Sequence, residues 1–195
     1  MTRRRLSVLL ALLVVLLWST RSTTTDTVLV AKGATWKYWD QGTAPAATWR
    51  TGSFDDSAWP SGPAELGYGD GNEATVVGYG PNSSAKYITT YFRRSFSVPD
   101  PSLFQSLALN ILRDDGAVVY LNGTEVFRTN MPTGTVGNST LATAAVGGTD
   151  EATYFNAVIP TAALQAGTNV LAVELHQSGA TSSDISFDAE LIAST

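Results

Sequence analysis

His176 is the sole histidine of the 195-residue chain, and Glu174 stands two positions before it. In an extended segment, residues i and i+2 share a face, so this pair could ligate a metal or exchange a proton. A metal-dependent phosphatase needs a cluster of His and Asp ligands, which one histidine does not supply. A hydrogen-bonded structural histidine is the alternative reading. Ser83-Ser84-Ala85-Lys86 spells S-x-x-K, yet that chemistry requires the motif to open a helix among companion motifs, and here it leads into a strand. Gly67-Tyr68-Gly69-Asp70-Gly71 is a Gly-rich run with no strand–helix context for a phosphate loop. Carboxylate pairs stand at Asp55-Asp56 and Asp114-Asp115. Glycosidases need two such groups across a cleft, whereas a turn setting favours capping or calcium ligation. Asp70-Gly71-Asn72-Glu73 has part of a calcium loop's composition without EF-hand spacing. With no cysteine there is no thiolate nucleophile. Binding, rather than catalysis, is what remains.

Sugars are held by aromatic faces on C–H surfaces, with carboxylates, amides and guanidinium groups reading the hydroxyls. Trp59, Tyr68 and Tyr79, with Arg128 and Asn130 after a hairpin and His176 on a late strand, form the candidate ligand set. Plugging the end of the fold is the equally weighted reading of any one of these aromatics. Asn82, Asn122 and Asn138 each open an N-x-S/T glycosylation sequence, though Asn122 falls in a tight turn.

The elements that must position these residues read as strands. Ile88, Phe92, Phe96 and Val98 alternate with Tyr87, Thr89, Tyr91 and Arg93. Leu107, Leu109 and Ile111 recur at period two, as do Ala117, Val119 and Leu121. Late in the chain, Leu171, Val173 and Leu175 oppose Ala172, Glu174 and His176. Ile185, Phe187, Ala189 and Leu191 likewise oppose Ser186, Asp188 and Glu190. Leu121-Asn122-Gly123-Thr124 is a type I′ hairpin signal. Only Thr161 to Gln165 suggests a helical turn. From Thr51 to Ser84 the chain is rich in Gly, Pro and Asp, and it is expected to be an ordered loop system at one end. Short strands at this spacing predict an all-β antiparallel sandwich.

Arg3, Arg4 and Arg5 followed by the apolar Leu6–Trp18 run read as a secretory signal over residues 1–25. An uncleaved anchor is the alternative. Residues 26–195 then form one domain, secreted and without membrane contact beyond the signal. Setting Arg3, Arg4, Arg5 and Arg21 aside, the 12 basic residues fall to 8 against 17 acidic ones, a net charge of −9. Such a balance leaves no basic footprint for nucleic acid.

Three stretches carry a family likeness. Asp114-Asp115-Gly116-Ala117-Val118-Val119-Tyr120-Leu121-Asn122-Gly123 resembles the hairpin of galactose-binding-like jelly-roll domains in β-galactosidase-type enzymes. Leu164-Gln165-Ala166-Gly167-Thr168-Asn169-Val170-Leu171-Ala172-Val173-Glu174 resembles their late strand, and Phe54-Asp55-Asp56-Ser57-Ala58-Trp59 an early element. Within that family the chain is similar to modules appended to secreted metallophosphoesterases and other bacterial surface proteins. The resemblance implies a jelly roll that binds a glycan or cell-surface polysaccharide, or one that accompanies a secreted hydrolase as an accessory domain. It also implies a structural calcium joining an early loop to the last strand, with Asp55, Asp56, Asp188 and Glu190 as ligands.

Overall fold

The computed structural model describes residues 24–195. The signal-segment expectation lies outside them. Twelve strands follow in order: β1 Asp26–Val30, β2 Thr35–Trp39, β3 Ser61–Pro63, β4 Leu66–Tyr68, β5 Thr75–Val76, β6 Thr89–Val98, β7 Ser106–Asp114, β8 Gly116–Leu121, β9 Thr124–Thr129, β10 Phe155–Ile159, β11 Gly167–His176 and β12 Ile185–Ser194. The helical content is single 3₁₀ turns, among them Ala47–Arg50 and Thr161–Ala163. Among the described residues, no helix is long and apolar enough to cross a membrane.

The strands form two six-stranded sheets. Sheet A runs β10-β7-β12-β4-β5, with β1 also paired to β12; sheet B runs β3-β2-β6-β11-β8-β9. All pairings are antiparallel except the short β4–β5 contact. The sandwich expected from alternation is therefore present. Each alternating set of apolar residues turns inward: Phe92 and Val98, Leu107 to Ile111, Ala117 to Leu121, Leu171 to Leu175, and Ile185 to Ala193. The sheets meet where Phe92 of β6 stacks on Phe187 of β12 at 4.1 Å, with Trp36 edge-on to Phe187 at 5.0 Å. Fully burying each such side chain is worth about 1.5–3 kcal/mol, so this junction is a principal tie between the layers.

The hairpin turn is as expected. Leu121 pairs with Thr124 around Asn122 and Gly123, both at positive φ. The Thr51–Ser84 stretch departs from its reading as an end loop. It crosses the sandwich, adding β3 to the edge of sheet B and then β4 and β5 to sheet A. Strands of two or three residues are too short to show a period.

Candidate functional site

Outward-facing residues of a sandwich are ordinarily polar. On sheet B several are apolar. Tyr91 of β6, Val118 and Tyr120 of β8, and Val170 and Ala172 of β11 form a second apolar cluster with Trp49 and Trp59, against which Trp39 and Phe54 pack. Three loops bring in the partners: residues 40–50, 51–60 and 130–142. Trp49 packs edge-on against both Tyr91 (4.9 Å) and Tyr120 (5.8 Å). Half-buried Trp39 stacks on buried Trp59 at 5.7 Å, and Phe54 meets Trp59 edge-on. Trp39 Nε1 donates to the carbonyl of Thr43, which ties this pair to the loop bearing Trp49.

A cleft of about 210 Å³ opens beside these rings, lined by Pro45, Trp49, Arg50, Tyr91, Asn138 and Glu174 among others. Its polar groups are held in place. Tyr120 donates its hydroxyl to Glu174 Oε1 at 2.6 Å, and Tyr91 donates to Asn138 Oδ1 at 3.0 Å. The Arg50 guanidinium lies 4.6 Å from the Tyr120 ring centre. Burial raises the Tyr91 and Tyr120 hydroxyls above their ordinary range, and the Glu174 carboxylate adds to both. A carboxylate, a guanidinium and an amide thus converge among aromatic rings, with small apolar residues at the rim. Such a surface suits a ligand with hydroxyl edges and C–H faces.

His176 sits at the buried end of this system. Its Nδ1 lies 2.8 Å from the Thr140 carbonyl, which can only accept, so Nδ1 carries a proton. Its Nε2 is 3.6 Å from Glu174 Oε2, beyond hydrogen-bond reach. With no exposed surface, the imidazole is a structural histidine rather than a direct ligand group.

The six predicted binding residues are not brought together. Trp59 belongs to the outer cluster of sheet B. Tyr68 lies on β4 in the main core, where its hydroxyl accepts from Gln177 Nε2 at 2.6 Å; Tyr79, 38% exposed, tilts over it at 5.0 Å. Arg128 is committed to Glu125 at 2.8 Å and to the Gly134 carbonyl at 3.0 Å. Asn130 donates both its amide hydrogens, to Asp115 and Ala144 carbonyls, so its side chain closes a loop. Trp49, Arg50, Tyr91, Asn138 and Glu174 replace them as the cleft's own groups, with Trp39 stacked on Trp59 in the adjoining cluster.

The implied calcium set is not assembled either. Asp55 accepts from the Ser57 amide in the turn before Trp59, and Asp56 pairs with Arg93 at 2.8 Å. Asp188 is buried, accepting from the Gly33 amide at 2.9 Å and the Tyr154 hydroxyl at 2.6 Å, and Glu190 accepts from Asn110. These four serve two opposite sheets, and each already has a local partner. Among the described residues one group of three or more potential ligands has its ligand atoms within 4.8 Å of one another: Asp70, Glu151 and Asp184. It borders a pocket of about 300 Å³ lined by Glu65, Asp70, Asn72, Leu112, Glu151 and Tyr154. Beneath lies Asp114, whose carboxyl is pushed up to about 9, first by burial, then by Asp115, Asp184 and Glu151. Burial and the Asp184, Asp70 and Asp115 charges raise Glu151 as well.

No protein-family model matches the chain, and no curated protein matches it by sequence. Solved structures do match its fold. A Bacteroides uniformis β-glucuronidase aligns over 88% of this chain and 18% of its own, at 19% identity and TM-score 0.52. A glycosyl hydrolase family 2 member from Bacteroides cellulosilyticus aligns over 87% and 20%, at 16% identity and TM-score 0.54. A β-glucuronidase from an uncultured Clostridium species aligns over 92% and 30%, at 17% identity and TM-score 0.50. The chain therefore spans about a fifth to a third of the length of these enzymes. At such identities the likeness is one of fold: this chain has the architecture of a β-sandwich portion found within larger glycosidases.

Proposed function

We propose that the chain is an exported, non-catalytic module that binds a glycan or cell-surface polysaccharide at the outer face of sheet B. One observation carries this reading: Glu174, Arg50 and Asn138 open into one cleft beside Trp49 and Tyr91. Trp39, stacked on Trp59 and hydrogen-bonded to the Thr43 carbonyl, adds an aromatic ring beside the loop that bears Trp49. The Leu6–Trp18 run behind three arginines supports export, and the sandwich's occurrence within glycosidases supports a carbohydrate setting. Affinity electrophoresis on polysaccharides, together with glycan arrays, tests it. Retention by at least one glycan is expected, weakened about tenfold, or 1.4 kcal/mol, by Trp39→Ala and by Glu174→Gln. Absence of retention of the wild-type chain by any glycan, above that of an unrelated protein, would reject the reading.

A second reading is an interaction domain docked on a separately encoded secreted hydrolase. It is favoured by an apolar row across the outer face of sheet A, where register aligns Val28, Ile192, Ala108 and Val158. Val158 is 77% exposed and Val28 55%. Co-expression with a hydrolase from a neighbouring reading frame should give a complex that Val158→Lys disrupts.

A further inference from the structure

Arg50 and Glu174 carry opposite charges and line the same cleft, yet they do not pair with each other. Among the described residues the charged contacts are Arg93–Asp56, Arg128–Glu125 and His176–Glu174, and Arg50 enters none of them. Its guanidinium lies 4.6 Å from the Tyr120 ring centre and 6.0 Å from that of Trp49. Those rings cover its flat side and leave the N–H fork without a protein acceptor.

Glu174 is drawn the other way. It sits on the central strand β11, between Tyr91 of β6 and Val118 of β8, and is 5% exposed. Its Oε1 accepts from the Tyr120 hydroxyl at 2.6 Å, and its Oε2 faces His176 Nε2 at 3.6 Å. The carboxylate is thus held on the cleft floor, away from Arg50. Asn138 is engaged as well, accepting from Tyr91 and donating to the Gly42 carbonyl at 2.9 Å. Arg50 is the cleft's uncommitted donor.

Its backbone is fixed on both sides. The buried Arg93 guanidinium donates to the carbonyls of Trp49 and Thr51, the two residues that flank Arg50. Within the 3₁₀ turn, the Trp49 amide donates to the Ala46 carbonyl at 2.8 Å and the Thr51 amide to Thr48 at 2.9 Å. A guanidinium on so rigid a root is presented in advance of its ligand.

We propose that Arg50 makes this cleft selective for an acidic polysaccharide, its fork taking a carboxylate or sulfate on the sugar. The inference rests on the glycan reading and names the class of glycan. A ligand entering the cleft strips the remaining water from the half-buried Arg50. A neutral sugar then leaves a desolvated charge with one hydroxyl at most, whereas an oxyanion pairs with the planar fork through two parallel hydrogen bonds. Glu174, below and apart, accepts from a neighbouring ring hydroxyl. The chain's 17 acidic residues against 12 basic ones repel a polyanion as a whole, so retention by one reports a local site.

Affinity electrophoresis of the full chain at about 0.15 M salt, where distant charges are screened, provides the test. The gels carry polygalacturonate or its methyl ester, and dextran sulfate or dextran, each pair differing in charge on one backbone. At least one charged polymer should retain the wild-type chain about tenfold or more over its neutral counterpart, and the pair that does so tells carboxylate from sulfate. Arg50→Gln should erase that difference, and Arg50→Lys, with charge but no fork, should keep part of it. The wild-type comparison needs no variant, and urea unfolding shows that each variant folds. Equal retention by charged and neutral polymers, or a preference that survives in Arg50→Gln, would overturn the proposal and leave the glycan reading standing. No retention by any of these polymers or by a glycan array would overturn both.

Discussion

Arg93 Nε donates to Asp56 Oδ2 at 2.8 Å, joining the centre of sheet B to the turn before Trp59. The same guanidinium, 2% exposed, reaches the carbonyls of Trp49 and, at 3.2 Å, Thr51. Its Cζ lies 5.1 Å from the Phe54 ring centre. One side chain therefore holds both aromatic loops on the sheet.

Replacing Arg93 by Met strands those two carbonyls and loosens both loops. Each lost hydrogen bond to the charged group costs about 1.5–3 kcal/mol, so a total near 3 kcal/mol is expected in urea unfolding. Asp56→Asn should cost less than about 1 kcal/mol, because the aspartate is half-buried and an amide oxygen still accepts. Equal losses in the two variants would contradict this division of labour.

Tyr120→Phe removes the donor to Glu174 Oε1 and leaves a buried carboxylate oxygen bare. A loss of about 1–3 kcal/mol should follow. Adding Glu174→Leu, so that both partners become apolar, should recover most of that stability without restoring glycan retention. If retention returns with stability, the carboxylate has no part in recognition.

The alternation that builds both sheets was legible residue by residue. Leu171, Val173 and Leu175 face the core and Glu174 faces out, as period two requires. What the cleft needs was not legible. Tyr91 and Glu174 occupy outward positions, where sequence alone reads solvent, and Trp49 lies in an aperiodic loop. Only the pairing of β6 with β11, which sets Tyr91 opposite Glu174, brings the two together. The same holds for Asp70 and Asp184. Gly69 between Tyr68 and Asp70, where a Cβ would lie 2.5 Å from Asp184 Cβ, was the local signal of a close approach, but nothing nearby in sequence names what it approaches.

Tyr68, Tyr91, Tyr120 and Tyr154 all have hydroxyls raised above the usual tyrosine range, with burial the largest cause in each. A raised folded pKa means that the folded state keeps protons the unfolded state releases. Stability is thus fully present below the unfolded value near 10 and is lost as pH rises beyond it. Of the chain's seven tyrosines, these four should therefore ionise together, giving a cooperative step in the tyrosinate band, equivalent to about four phenols, coincident with unfolding. A gradual rise accounting for all seven phenols before unfolding would show these rings to be solvated.

Asn122 occupies the first turn position of the β8–β9 hairpin at φ 54°, where Gly ordinarily substitutes without loss. Here the side chain does more than permit the turn. Nδ2 donates to the Ala163 carbonyl at 2.9 Å and to Asn169 Oδ1 at 2.7 Å, while Oδ1 accepts from the Val170 amide at 2.9 Å. Asn122→Gly keeps the backbone and deletes three hydrogen bonds, each worth about 0.5–1.5 kcal/mol, so a loss of about 2–3 kcal/mol is expected. Asn122→Ala should cost about 1–2 kcal/mol more, from the left-handed conformation. Because both Nδ2 hydrogens are in use in the folded chain, Asn122 should carry no glycan when the protein is exported from a glycosylating host. Asn82, whose side chain is exposed and uses only its oxygen, should be occupied in the same sample. Peptide mass spectrometry separates the two sites, and a glycan on Asn122 would mean the hairpin docks on Asn169 only after modification, if at all.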